Sequence, residues 1–437
     1  MILLELKNLS TVYPELREED GLFLPNFDKN IYKIRDTFED LLNITETKNS
    51  LLKYNDIKKI VEDHDATHPK NILHFTIDSL GWNQIIEKKN FLDNYRENNE
   101  IIQLSSVFPT ITSTILTSIH SGLPPEVHGL LGHKIYFPEI GGVINTLVSN
   151  VQNAKDRQKD SLVRCGVDPK ALLWRYNPPS LNESAEYIQV NLLQFDIAMT
   201  GLSHFMLDPQ RVISFRNYID GFEKVIKLLK MKKKVYIHFY IGDIDDVCHA
   251  YGPFSQQYEK TSKLLNYLLG NFIKSLDPQT SEETLLTITA DHGQNSLYDE
   301  KRITFDREFI KEFNGLLRAP MGKSGRVLHF YAKENKIKVV KDILRDKIKN
   351  SGIILTSDDD LSHLFATKQN LNKVPERLGN VIVIMKPNYS ASREYKKEKE
   401  NEELIEFKMN GTHGSLSLDE LLIPLFIDKI SNYKKFC

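Results

Sequence analysis

Asp and His follow apolar runs at three places in this 437-residue chain, and at a fourth a His precedes one. Asp78 closes the run NILHFTI at residues 71 to 77. Asp245 and His249, four apart, lie in GDIDDVCHAYGP just beyond KVYIHFYI at 234 to 241. Asp291, His292 and Gly293 follow TLLTITA at 284 to 290, and His413 is flanked by glycines in NGTHGSLSLDELLIPLF. Taken singly, each has a plain structural reading. An Asp after a strand caps a helix or turn, an Asp and a His at i and i+4 make an exposed helical pair, and DHG or GTHG make turns. Together, three Asp and three His form a donor set suited to two divalent metals of borderline softness. Open α/β sheets bind ligands beyond the carboxyl ends of their strands, and all six residues fall at such ends.

A metal pair of this kind needs a nucleophile, and VFPTITSTILTSIHSGLPPEVHG (107 to 129) is rich in hydroxyls. Phe108-Pro109 favours extended backbone before the hydroxyl run. A helix is expected to begin near Ser113 and to end at Ser121-Gly122. A hydroxyl at a helix N-terminus meets an incoming phosphate beside free backbone N–H groups. Thr110, Thr114, Thr117 and Ser118 are better explained by capping and packing.

The elements that must position these residues are legible as apolar runs. Besides the three above, RVLHFYA (326 to 332) and NVIVIMK (380 to 386) are continuously apolar, as expected of strands buried on both faces of a mostly parallel sheet. Helical spacing marks 256 to 276 and 335 to 350. Alternation of the two types predicts an α/β fold. One catalytic domain is expected over 1–437, with a weakly patterned cap or substrate insertion at 141–231 and a smaller subdomain at 300–378.

Composition narrows the class. Hydrophobic residues make up 41%, charged residues 27% and the formal net charge is -2, which gives no sign of a nucleic-acid or membrane-surface binder. The lysine and glutamate runs at 230 to 234 and 394 to 403 read as solvated faces. Cys165, Cys248 and Cys437 are widely spaced and odd in number, which argues against a disulfide framework. The N-terminus lacks a signal-peptide pattern, and no apolar run approaches the roughly 18 residues of a membrane span. A cytoplasmic protein is the expectation. Gly322-Lys323-Ser324 is not a phosphate loop, because Leu317 stands where the upstream glycine belongs. No GxSxG elbow or CxxC pair is present. His64, His68, His120, His133, His204, His238, His329 and His363 lack a partner pattern and read as core or surface residues; His128 is a candidate for supporting the site.

The segments TIDSLG, VFPTITSTILTSIHSGLPPEVHG, GDIDDVCHAYGP, TADHGQ and GTHGS, in that order, resemble the alkaline phosphatase superfamily and most closely its type I phosphodiesterase/nucleotide pyrophosphatase branch. The resemblance runs from about residue 71 to 418. It implies an alkaline-phosphatase-like three-layer sandwich, a mostly parallel central sheet flanked by helices with an inserted cap. It places one metal on Asp78, Asp291, His292 and the nucleophile, and the other on Asp245, His249 and His413. In the family's F-P-T-x-T pattern the second threonine is the nucleophile, which is Thr112 here, and the backbone N–H of Ser113 is the expected oxyanion donor. The cofactors implied are two divalent ions, zinc first, with manganese or magnesium as alternatives. Two departures stand out: Ile115 replaces an asparagine found three residues after the nucleophile in members acting on nucleotides, and Gly242-Asp243 replaces an acidic pair.

The activity implied is hydrolysis of phosphodiester or pyrophosphate bonds in a small phosphoester, a nucleotide among the candidates, through a phosphothreonine. A phosphomonoesterase or phosphonate hydrolase of the same superfamily is the alternative, and a non-catalytic metal-containing binding protein is the rival from another class. A sulfatase would need Cys or Ser followed by Pro-x-Arg, which Thr112-Ser113-Thr114-Ile115 lacks. Neither a stable nucleic-acid complex nor a membrane is an expected partner.

Overall fold

The computed structural model describes residues 1–13, 16–42, 49–88, 92–152, 158–175, 187–393 and 409–437. The charged run 394 to 403 and the NPPSLNES segment (177 to 184) lie outside the described residues.

A seven-stranded sheet occupies the centre. Its strands, in spatial order, are Ile102–Ser105, Leu422–Lys429, Thr284–Thr289, Asn71–Ile77, Lys234–Ile241, Tyr187–Gln194 and Val212–Phe215. The last five run parallel, and Leu422–Lys429 is antiparallel to both its neighbours. Every residue of Asn71–Ile77 is buried, which is why the run carries no polar alternation.

Helices cover both faces. On one, Phe75 and Phe239 pack against Phe222, which stacks on Phe272 at 4.7 Å between ring centroids. This face therefore belongs to the helices Tyr218–Leu229 and Gln256–Ser275. On the other, Phe38 of Ile34–Leu41 meets His74 and Tyr236, and His120 of Thr112–Ser121 meets His238. Alternate residues of each strand thus serve opposite layers. The result is the three-layer α/β sandwich expected from the sequence.

Register brings the chemistry to one edge. Ile77 is level with Ile241 and Thr76 with Thr289, so Asp78, the helix Asp243–Tyr251 and Asp291 all emerge together. Leu425 pairs with Thr289. Because this strand runs the other way, the loop before Leu422, which carries His413, reaches the same edge.

A second seven-stranded sheet has the order Gly352–Thr356, Val381–Met385, Val327–Ala332, Leu317–Ser324, Lys134–Phe137, Gly142–Asn145, Asn150–Val151, and its pairings are antiparallel throughout. The runs at 326 to 332 and 380 to 386 belong here and not to the parallel sheet. They are continuously apolar because one face joins the main core and the other a separate cluster around Phe305, Phe313 and Phe330. Residues 141–231 are divided: the first strands extend this second sheet, whereas Tyr187–Gln194, Val212–Phe215 and Tyr218–Leu229 belong to the central layers. Residues 300–378 supply three of the second sheet's seven strands together with the helices Arg307–Asn314 and Ile337–Ile348. Among the described residues, no helix is long and apolar enough to cross a membrane.

Candidate functional site

The hydroxyl-rich stretch forms the helix Thr112–Ser121, one residue earlier than the expected start. Ile111 before it is extended (φ -126°, ψ 130°), and Gly122 ends it in the left-handed region at φ 66°, where glycine is unstrained. Thr112 and Ser113 therefore sit in the first turn, where N–H groups have no intrahelical acceptor. The neighbouring hydroxyls are tied into the fold, apart from Thr114 Oγ1, which is buried with no hydrogen-bond partner. Thr117 donates to the Ser113 carbonyl at 2.7 Å, and Ser118 lies 2.9 Å from His128 Nε2. His128 thus braces the far side of this helix and supports the site only at a distance. Ile115 is fully buried in the main hydrophobic cluster, so the side chain at this position packs the core.

All six expected ligands converge on Thr112 or on one another. Thr112 Oγ1 lies 3.1 Å from His292 Nε2 and 3.5 Å from Asp78 Oδ2. His292 Nε2 is 3.2 Å from Asp291 Oδ2 and 3.5 Å from Asp78 Oδ1. Asp245 is 3.3 Å from His249 Nε2 and 3.7 Å from His413 Nε2, and the rings of His292 and His413 stack at 3.7 Å.

Backbone carbonyls set the imidazoles. His249 Nδ1 faces the Gly411 carbonyl at 2.8 Å, His413 Nδ1 the Thr110 carbonyl at 2.7 Å and His292 Nδ1 the Gly293 carbonyl at 3.1 Å. Each Nδ1–H donates outward, so each Nε2 lone pair faces the cluster, the arrangement a metal ligand requires. Thr110 also holds the His413 loop through Gly414 N at 2.9 Å and the Ser415 carbonyl at 2.9 Å.

The charge pattern calls for cations. Burial pushes the Asp78 carboxyl well above its ordinary range, with Asp291 and Asp245 adding to the effect. Burial likewise pushes Asp291 up to about 6. For Asp245 burial opposes ionisation, but the charge and hydrogen bond of His249, foremost among the flanking imidazoles, outweigh it and hold the group below the usual range. Burial lowers His292 to about 4 and His413 to about 3, which keeps both as neutral imidazoles. Asp78 Oδ1 and Asp291 Oδ2 are buried with no hydrogen-bond partner. The ligand atoms of Asp78, Asp291 and His292 lie within 4.8 Å of one another, as do those of Asp245, His292 and His413. Orphaned carboxylate oxygens and neutral imidazoles are the donors a divalent ion takes, so the residues fit.

Three further residues join the site without having been singled out in the sequence. Ser79, in the left-handed region at φ 63°, donates to Asp245 Oδ1 at 2.7 Å and lies 3.2 Å from His292 Nδ1. Tyr240 donates to Asp78 Oδ2 through a short hydrogen bond. Gln294 donates to Asp245 Oδ1 at 2.6 Å. Only the alternation of Tyr240 with Phe239 along the strand hinted that it faces differently from the core.

Comparison with known proteins bears on the fold and the family. Among solved structures, human ectonucleotide pyrophosphatase / phosphodiesterase 5 superposes with a TM-score of 0.61 at 16% identity, over 82% of this chain and 87% of the other. The murine protein of the same name gives 0.60 at 16% identity with the same coverage. An inactive threonine-to-alanine form of the murine protein in complex with AMP gives 0.59, also at 16% identity and the same coverage. At this identity the likeness is one of fold. No curated protein matches the chain. The family profile described as type I phosphodiesterase / nucleotide pyrophosphatase matches residues 72–416. That span holds all six converging ligands and Thr112, and the chain belongs to the type I phosphodiesterase / nucleotide pyrophosphatase family of hydrolases.

Proposed function

We propose that this protein hydrolyses phosphodiester or pyrophosphate bonds of a small nucleotide-type substrate through a phosphothreonine on Thr112. The observation that carries the reading is the place of Thr112 Oγ1, within 3.5 Å of both His292 and Asp78 at a helix N-terminus. Asp78, Asp291, His292 and Thr112 would hold one divalent ion, and Asp245, His249 and His413 the other, with zinc the first choice. When bound, such ions lower the pKa of coordinated hydroxyls and neutralise charge on phosphoryl oxygens.

The chain's own groups do the rest. Thr112 Oγ attacks phosphorus, the Oγ–P bond forms and the bond to the leaving oxygen breaks. The Ser113 N–H, in the first helical turn, donates to the oxyanion. The carbonyls of Thr110, Gly411 and Gly293 keep the three imidazoles aimed inward. Attack of water on the phosphothreonine then frees Thr112 and releases the monoester.

A nucleotide substrate is supported by the AMP bound to the murine relative, whose inactive form carries a threonine-to-alanine change. A cytoplasmic location is part of the proposal, supported by the free thiols of Cys165, Cys248 and Cys437. The test is turnover of bis(p-nitrophenyl) phosphate against p-nitrophenyl phosphate with zinc or manganese. A large preference for the monoester would favour the phosphomonoesterase alternative. Equal activity of untreated, EDTA-treated and Thr112→Ala protein would end the metal–nucleophile reading in favour of a binding protein.

A further inference from the structure

Gln294 is wholly buried beside the ligand set, and it takes no part in the phosphoryl chemistry. Its amide nitrogen donates to Asp245 Oδ1 at 2.6 Å and lies 3.4 Å from the Asp245 carbonyl. Ser79 Oγ donates to the same Oδ1 at 2.7 Å. A carboxylate oxygen accepts at two lone-pair positions, so these two donors fill Oδ1. Oδ2 is left facing His249 Nε2 at 3.3 Å. The other carboxylates of the site differ, because Asp78 Oδ1 and Asp291 Oδ2 are buried with no hydrogen-bond partner.

The surroundings hold the Gln294 amide in place. Asn295–Ser296 pairs antiparallel with Gly411–Thr412, Asn295 opposite Thr412 and Ser296 opposite Gly411, which sets Gln294 beside the segment leading to His413. A Cβ on Gly411 would lie 2.5 Å from Gln294 Oε1 and 2.4 Å from the Cys248 carbonyl. The bare glycine backbone therefore closes directly on the amide. The carbonyl of the same Gly411 faces His249 Nδ1 at 2.8 Å. Gln294 thus grips Asp245 with its nitrogen and packs its oxygen on the residue that orients His249. Reversing the amide would set two acceptor oxygens at the 2.6 Å now spanned by the hydrogen bond, which fixes its orientation.

We propose that Gln294, together with Ser79, restricts Asp245 to one coordinating oxygen and so makes the Asp245, His249 and His413 set selective for zinc over manganese. One carboxylate oxygen and two imidazoles make a three-point set of the kind four-coordinate zinc takes. Ions that favour six oxygen-rich positions gain from a second carboxylate oxygen, which the two donors withhold. Gln294 is a positioning residue, acting on the ion through Asp245. It donates to no member of the Asp78, Asp291 and His292 set, so the selectivity of that set does not depend on it. The inference rests on the two-ion reading of the site.

The experiment titrates the metal-free full chain with zinc and with manganese against a chromogenic chelator. Two binding steps are expected, and the step that His249→Ala removes belongs to the Asp245 set. Gln294→Met keeps the side-chain length and deletes the donor. It should lower the zinc-to-manganese affinity ratio of that step at least about 10-fold, and adding Ser79→Ala should lower it further. The ratio of the other step should not move. A loss of packing alone weakens both ions alike, so an unchanged ratio, or equal weakening of zinc and manganese, overturns the proposal. A zinc-loaded crystal of the unmodified protein tests it without any variant. Asp245 bound through Oδ2 alone is the expected result, and Asp245 bound through both oxygens overturns it. A parent protein that binds neither ion is the separate failure of the two-ion reading.

Discussion

The Ser79 hydroxyl donates to Asp245 Oδ1 at 2.7 Å across 166 residues of sequence, joining the turn after one parallel strand to the helix after the next. Gln294 donates to the same oxygen, which leaves Asp245 Oδ2 toward His249. Ser79 holds this position at φ 63°, a conformation that disfavours a side chain.

Ser79→Gly and Ser79→Ala separate the two contributions. Glycine removes the strain and the hydroxyl together, so thermal stability of the metal-free protein should hold or rise, while affinity for a divalent metal falls about 10- to 100-fold. Alanine keeps the strain and should lower both. Thermal melts with chelator competition read both quantities. Unchanged metal affinity in the two variants would remove Ser79 from any positioning role.

Tyr240→Phe deletes the donor to Asp78 Oδ2, on a carboxylate whose other oxygen already lacks a partner. The expected loss is about 1–3 kcal/mol in metal-free stability, with metal affinity weakened about 10- to 100-fold. Urea unfolding and metal titration of the purified variant check the two figures. A phenylalanine variant that matches the parent in both measurements would show the phenol to be incidental.

The His413 loop depends on an ion pair buried beneath it. Arg326 and Glu420 are both fully buried and hydrogen-bonded to each other, Glu420 also accepts from Ser415 N at 3.0 Å, and Arg326 N donates to the His413 carbonyl at 2.9 Å. Glu420→Ala strands the guanidinium and should cost about 3–5 kcal/mol. A loss below about 1 kcal/mol in denaturant unfolding would show that the surroundings compensate the charge.

Beneath the central sheet, His74, His120 and His238 form a buried group, with Arg35 paired to Glu39 beside it at 3.1 Å. Burial lowers His74 and His120 to about 3. The folded-state values lie below the unfolded value of about 6.5, so acid favours the unfolded chain. Their contribution is present above about pH 6.5 and lost as pH falls toward about 3, reaching about 3 kcal/mol per histidine at pH 4. His120→Gln should flatten unfolding free energy against pH by about one proton's slope between pH 4 and 6. An unchanged slope would show that His120 is not neutral in the folded state.

The sequence by itself determined the class of fold and put forward a candidate ligand set. Metal ligands must be particular residue types, and strands buried on both faces must be continuously apolar, so Asp78, Asp245, His249, Asp291, His292 and His413 stood out at strand exits without any coordinates. Thr112 was distinguishable from its neighbours only through the family's F-P-T-x-T pattern, because several hydroxyls share its stretch. What the tertiary structure decided was partnership. An apolar run carries no information on the direction of its neighbour, and so 326 to 332 and 380 to 386 entered an antiparallel sheet, while 187–194 joined the parallel one. Ile115 is drawn into the core. Ser79 and Tyr240 reach the ligands through contacts 166 and 162 residues apart in sequence. Residue type limits the chemistry a side chain can do; only packing and register fix which distant group it meets.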